Sequence, residues 1–223
     1  NIHNILRNTG LFKISSSHHP WGNPAILSPL VEAAHAVSNI NGTKIGIPVL
    51  GNISKKNGGP IRPSKSHQVG LDIDMSFYGN RSSGRWFDAL KTLETANPTF
   101  DLIRNVYFME SLIKDPKVIA IFIHDKIKTH INTFLSYDPE VIGPGGIDAS
   151  VSPVQRLLYQ NLARRWNSVK GSAKLRPDTG HHDHYHIRIK HPPNSLTLAQ
   201  YKKKTQTKPQ AIIKGSFLGD MKE

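Results

Sequence analysis

Cysteine is absent from the 223-residue chain, which excludes disulfides, thiolate nucleophiles and any zinc site held by Cys. A metal would have to be held by His, Asp or Glu. No apolar run approaches the roughly 18 residues that a membrane-spanning helix needs. Acidic residues are scarce: 16 Asp and Glu stand against 29 Lys and Arg, a formal charge of +13. Such a field favours an anionic partner without choosing among nucleic acid, an acidic membrane surface and an acidic cell-wall polymer. At 37% hydrophobic and 20% charged residues, the composition excludes a disordered chain, collagen and a coiled coil. The length suits one ordinary domain or two small ones, able to bury about 70% of the unfolded surface. The chain opens on Asn1 rather than Met. Removal of an N-terminal segment is therefore expected, and no signal peptide is read from the chain.

Residues 1–24 are polar and end in a Gly-Asn-Pro turn, and they read as an irregular arm. Leu30, Val31, Ala34 and Val37 recur at helical spacing, so a short helix is expected over 27–37. Alternation of Ile45, Ile47 and Val49 predicts a strand over 45–53. A Gly-, Pro- and Lys-rich loop follows at 54–66. Val69, Leu71, Ile73 and Met75 then alternate with polar residues, which predicts a strand over about 67–77. Residues 78–100 read as an exposed excursion. Helices are expected over 106–113 and 126–135, with an apolar strand, Val118 to Ile123, between them. A Gly-Pro-Gly-Gly loop at 143–146 precedes a helix from Pro153 to about Trp166. Its stripe of Val154, Leu157, Leu158, Leu162 and Trp166 reads as a buried face. A last strand is expected over 185–189. The whole predicts an α+β fold with a small antiparallel sheet flanked by helices. The body runs over 25–195 and a lysine-rich, loosely packed tail over 196–223.

Two segments can carry chemistry. One runs from Ser66 to Asp74, the other from Gly180 to Arg188. Four His and one Asp fall within six consecutive residues, 181–186, although the whole chain has only 12 His. On a strand His184 and His186 share a face, since side chains alternate. Two imidazoles from one strand, with a His and a carboxylate from its neighbour, can hold a divalent metal, and three protein ligands with an open position would make the site catalytic. His67 and Asp74 lie seven apart, which puts them on opposite faces of a regular strand. Gly70 is where a bulge or turn could restore a common face. Asp72 reads as a solvated acid or a partner to a ligand rather than as a ligand. His3, His18, His19, His35, His124, His130 and His191 read as surface or satisfied core histidines.

The pattern His67-x-x-Gly70-x-x-x-Asp74, with the later His184-x-His186, resembles the zinc peptidases that include lysostaphin-type endopeptidases, D-alanyl-D-alanine peptidases and hedgehog-like domains. More specifically it is similar to the penicillin-insensitive murein endopeptidase family. That resemblance runs from about Val49 to Pro192 and takes in Gly51-Asn52-Ile53-Ser54, Asn57-Gly58-Gly59-Pro60-Ile61 and Arg176-Pro177. It implies one zinc per chain, held by His67, Asp74 and His186. His184 would be the unliganded histidine beside the metal, and His181 another histidine lining the site. Two positions depart from the family's pattern. Ser64 stands where a histidine is usual. Asp183 stands where a small residue is usual, three before His186, the offset at which D-alanyl-D-alanine peptidases carry their general base. The base therefore stays open between His184 and Asp183.

The resemblance implies a zinc endopeptidase that hydrolyses peptide cross-links of peptidoglycan, acting in the periplasm or after secretion. It acylates no serine and so ignores β-lactams. The basic surface then meets an anionic wall polymer, with Arg188 and Arg176 as candidates for a substrate carboxylate. A D-alanyl carboxypeptidase with the same zinc chemistry is the first alternative. A nucleic-acid binder or metal-dependent nuclease is the second; the chain has no stacking motif or recognition helix for it, and no nucleic-acid partner is expected.

Overall fold

The computed structural model describes residues 2–15, 19–38, 40, 46–62, 64, 66–79, 86–95, 99–136 and 153–193. The chain divides into a unit of 1–190 and a unit of 191–223; only 191–193 of the latter are described. The expected glycine-rich loop at 143–146 and the basic tail at 196–223 lie outside the described residues.

Among the described residues six strands make one sheet in the order β1-β2-β3-β6-β4-β5. These are β1 (Lys13–Ile14), β2 (Val49–Leu50), β3 (Asp72–Ser76), β4 (Val118–Ile123), β5 (Leu175–Pro177) and β6 (His184–Ile189). The helices are α1 (Ile2–Asn8), α2 (Leu27–Ser38), α3 (Ala89–Glu94), α4 (Leu102–Lys114), α5 (Asp125–Ser136) and α6 (Pro153–Val169). The fold is α+β as expected, but the sheet is mixed rather than purely antiparallel. β1 pairs with β2 and β4 with β5 in parallel. Parallel neighbours need a crossover connection, often helical, and α2 lies between the first pair while α5 and α6 lie between the second.

The centre of the sheet is antiparallel. β6 pairs β3 on one side and β4 on the other. Alternation sorts the two faces of β3 and β6. Ile73, Met75, Tyr185, Ile187 and Ile189 point into the hydrophobic core and are at most 1% exposed. Asp72, Asp74 and Ser76 face the other way, directly opposite Arg188, His186 and His184. Three cross-strand polar pairs therefore stand in a row on one face.

Several expectations are corrected. The arm at 1–24 contains α1 and β1, and Ile2, Leu6 and Phe12 join the core. Apolar residues four apart bring one helical face inward, and that signal was hidden by polar neighbours. The excursion at 78–100 is not wholly exposed: Tyr78, Ala89 and Phe100 are buried. Tyr78 is anchored through Asn105, whose Nδ2 donates to the Tyr78 carbonyl at 2.9 Å while its Oδ1 accepts from Tyr185 Oη at 2.7 Å. The stripe on α6 splits. Leu162 and Trp166 are buried, whereas Val154, Leu157 and Leu158 are 76%, 54% and 40% exposed. Packing against α4 and α5 selects the face carrying Leu162, Trp166 and Val169, and the first two turns turn outward. Among the described residues no helix is long and apolar enough to cross a membrane.

The strand expected over 67–77 begins only at Asp72. Gly70, at φ +73°, turns the chain just before it. A Cβ on Gly70 would lie 2.8 Å from the Gly22 Cα and 2.9 Å from the Asn23 nitrogen, and both are backbone atoms that cannot yield. Gly70→Ala is therefore expected to cost about 1–3 kcal/mol of stability and to displace His67, which the turn carries. Denaturant unfolding and the imidazole NMR signals of the variant check both effects.

Candidate metal centre

The turn at 67–70 and the strand pair β3–β6 bring three donor atoms together. His67 Nε2 lies 3.0 Å from Asp74 Oδ1 and 3.2 Å from His186 Nδ1, and His186 Nδ1 lies 3.1 Å from Asp74 Oδ1. His67 and His186 are buried. Gly70 thus restores the common face that the spacing of His67 and Asp74 denies a regular strand.

The outer nitrogen of each ring fixes what the inner one can do. His67 Nδ1–H donates to the Ile53 carbonyl at 3.0 Å. His186 Nε2–H donates to Asp72 Oδ1 at 2.9 Å. A carbonyl and a carboxylate only accept, so in the neutral rings His67 Nε2 and His186 Nδ1 are bare lone pairs. With both rings neutral, these two nitrogens and Asp74 Oδ1 would be three acceptors facing one another, so a cation, either a proton or a metal ion, has to lie among them. These three residues could hold a metal ion. Donor separations of 3.0–3.2 Å also match the edge of a tetrahedron, about 3.3 Å, for metal–donor bonds near 2.0–2.1 Å. The donor set fits.

Electrostatics agree. Burial opposes charge on both His186 and Asp74, but their mutual hydrogen bond and those to Asp72 and His67 outweigh it. His186 is pushed up to about 9, and Asp74 is held well below the usual carboxylate range. With no metal bound, a proton takes the cation's place.

His184 and Asp183, between which the sequence left the base open, form a joined pair. His184 Nδ1–H donates to Asp183 Oδ1 at 2.5 Å. His184 Nε2 then faces Asp74, with Oδ1 at 3.7 Å. The hydrogen bond to His184 lowers the Asp183 carboxyl. His181 packs edge-on against His184, with ring centroids 4.9 Å apart. Its Nδ1 sits 2.9 Å from Asp178 Oδ1 but without hydrogen-bond geometry. Burial and the neighbouring His184 push His181 below its ordinary value, which leaves it neutral near pH 7.

A cavity of about 520 Å³ opens on this face, lined by His67, Asp74, His181, His184, His186 and Arg188 among others. Arg188 donates through Nε to Asp72 Oδ1 at 2.6 Å. Arg176 is exposed and stands outside the cavity lining, its guanidinium 5.8 Å from the Phe122 ring. Several residues at the site escaped sequence reading. Phe122 and Arg62 line the cavity, Phe122 edge-on to His186 at 5.4 Å, and Trp86 packs edge-on against His184 at 5.4 Å. The Trp86 position depends on Gly51, where a Cβ would lie 2.8 Å from the indole. Of these, only Phe122 carried a signal: it falls on the polar-face parity of an otherwise aliphatic strand.

No curated protein matches the chain. A family model does, over residues 12–141, and its description is penicillin-insensitive murein endopeptidase. The matched span includes His67, Gly70 and Asp74 and ends before β6, which supplies His184 and His186. It covers more than half of the 223 residues, and by that measure the chain belongs to the penicillin-insensitive murein endopeptidase family.

Proposed function

We propose that the protein is a zinc-dependent endopeptidase that hydrolyses peptide cross-links of bacterial peptidoglycan, in the periplasm or outside the cell. The observation that carries this reading is the convergence of donor atoms from His67, Asp74 and His186 on a cavity wall that also carries His184, itself bonded to Asp183. In this reading the three hold one metal per chain. Two imidazole nitrogens and one carboxylate oxygen suit zinc better than a hard cation such as magnesium. When bound, zinc would polarise the scissile carbonyl and make water acidic enough to react near neutral pH.

The remaining work falls to the chain's own groups. His184 Nε2, the lone-pair nitrogen of the neutral ring when Nδ1–H is held by Asp183, takes a proton from the attacking water and returns it to the leaving amine. Asp183 stabilises the imidazolium formed in between and keeps the ring in its tautomer. Neutral His181 supplies an N–H to the oxyanion that develops on the substrate carbonyl. Arg188, through the guanidinium edge left open by its bond to Asp72, and Arg176, exposed outside the cavity, attract carboxylates of the wall peptide. No serine is acylated, so β-lactams find no target. The +13 charge draws the protein onto an anionic wall.

Defined cross-linked muropeptides, incubated with the protein and resolved by mass spectrometry, test this. Dimers should fall to monomers, a chelator should stop the reaction, and zinc should restore it. Monomers shortened by one alanine with dimers intact would make the protein a carboxypeptidase instead. No cleavage by a zinc-replete protein would sink both readings.

A further inference from the structure

A neutral imidazole can ligate through only one nitrogen at a time, and the partner of the other nitrogen decides which one it is. Around His186 that decision is built from buried groups. Nε2 lies 2.9 Å from Asp72 Oδ1 and 3.3 Å from Ser66 Oγ. Asp72 is only 4% exposed, and a carboxylate buried to that degree needs a countercharge. Arg188 supplies it, with Nε 2.6 Å from the same oxygen. The arrangement follows from strand register: Asp72 stands opposite Arg188, and Asp74 opposite His186. Two residues spaced by two on each strand thus form a chain, Arg188 to Asp72 to His186, lying along the polar face of the sheet. The Ser66 hydroxyl is the only other group on Nε2 among the described residues. It can donate as well as accept, so it does not by itself fix a tautomer.

We infer that Asp72 is a positioning residue for the metal centre: it keeps the hydrogen on His186 Nε2, so that Nδ1 is the atom presented with His67 and Asp74. Arg188 holds the Asp72 carboxylate in place for that role through its Nε contact, in addition to any contact with substrate. The inference rests on the metal-centre reading given above.

The test begins with wild-type zinc stoichiometry and dissociation constant, measured by competition with a chromogenic chelator. A wild-type protein that binds no zinc would defeat the metal-centre reading itself. With one zinc bound, Asp72→Ala is expected to weaken zinc binding about 10–100-fold, the usual worth of a partner behind a ligating histidine. The thermal midpoint of the metal-free Asp72→Ala form separates this from general damage, because a merely structural role would lower that midpoint in step with affinity. Asp72→Asn keeps an accepting oxygen without the charge and is expected at the low end, about 10-fold. It decides the question should Asp72→Ala fail to fold. In the zinc-loaded wild type the His186 Nε2 proton should appear downfield and exchange slowly by NMR, and it should lose that protection in Asp72→Ala. Zinc affinity within twofold of wild type in the folded variants would overturn the inference, whatever the fate of the centre as a whole.

Discussion

His186→Ala is expected to abolish stoichiometric zinc binding, as are His67→Ala and Asp74→Ala, and activity should vanish with the metal. His186 is the most informative of the three because it touches every part of the centre. It meets Asp74 and His67 through Nδ1, and Asp72 and Ser66 through Nε2. Its removal leaves two carboxylates with fewer partners in a half-closed site. The same residue sets a pH dependence. Its folded-state pKa is raised from 6.5 to about 9 by Asp72 and Asp74 against the opposing effect of burial. A raised pKa means that the charged ring stabilises the metal-free fold. That stabilisation is fully present below pH 6.5 and is lost as pH rises through about 9. One pKa unit corresponds to about 1.4 kcal/mol, so the metal-free wild type should lose up to about 3 kcal/mol across that window. His186→Ala should show no such loss. Zinc binding should tighten over the same window, because the metal displaces the proton that occupies its place. Urea unfolding of the metal-free proteins from pH 6 to 10, with parallel zinc titrations, reads both effects. A metal-free stability that does not change with pH would contradict this account of the site.

The second large effect concerns proton transfer. His184→Ala should keep its zinc and its fold but lose about 10²–10⁴-fold in turnover, the usual contribution of a positioned acid–base group. The ring lies next to the donor set without joining it: Nε2 is 3.7 Å from Asp74 Oδ1, whereas the three donors stand 3.0–3.2 Å from one another. Asp183→Asn should cost less, because an amide oxygen still accepts from His184 Nδ1–H and only the charge is lost. Metal content by mass spectrometry and single-turnover rates on a cross-linked muropeptide separate the cases. An inactive, metal-replete Asp183→Asn beside an active His184→Ala would make the carboxylate the base and reduce His184 to a spacer.

The candidate donors were legible because their signals are local. A period of two places His184 and His186 on one face wherever the strand goes. A glycine between His67 and Asp74 marks the one point where the chain can turn to unite them. The sheet's parallel pairs were not legible, since alternation along a strand says which residues share a face and nothing about which strand lies alongside. The outward turns of α6 failed for the same reason. Helical spacing defines a stripe at Val154, Leu157 and Leu158, but only the placement of α4 and α5 determines which stripe is covered. Trp86 and Arg62 reach the site through tertiary placement that leaves no mark on nearby sequence. Asp72 is an intermediate case: its spacing from Asp74 announced a shared face, while the partner that gives it a task, Arg188, stands 116 positions away.

The position of β6 has a consequence for synthesis. The last strand of the sheet in the chain is also an interior one, inserted between β3 and β4. A nascent chain that has emerged only as far as β5 presents two open hydrogen-bonding edges, one on each side of the gap. It also lacks His184 and His186, so the proposed metal centre is incomplete until the C-terminal end of the 1–190 unit arrives. Closing the sheet and arming the enzyme are then one event.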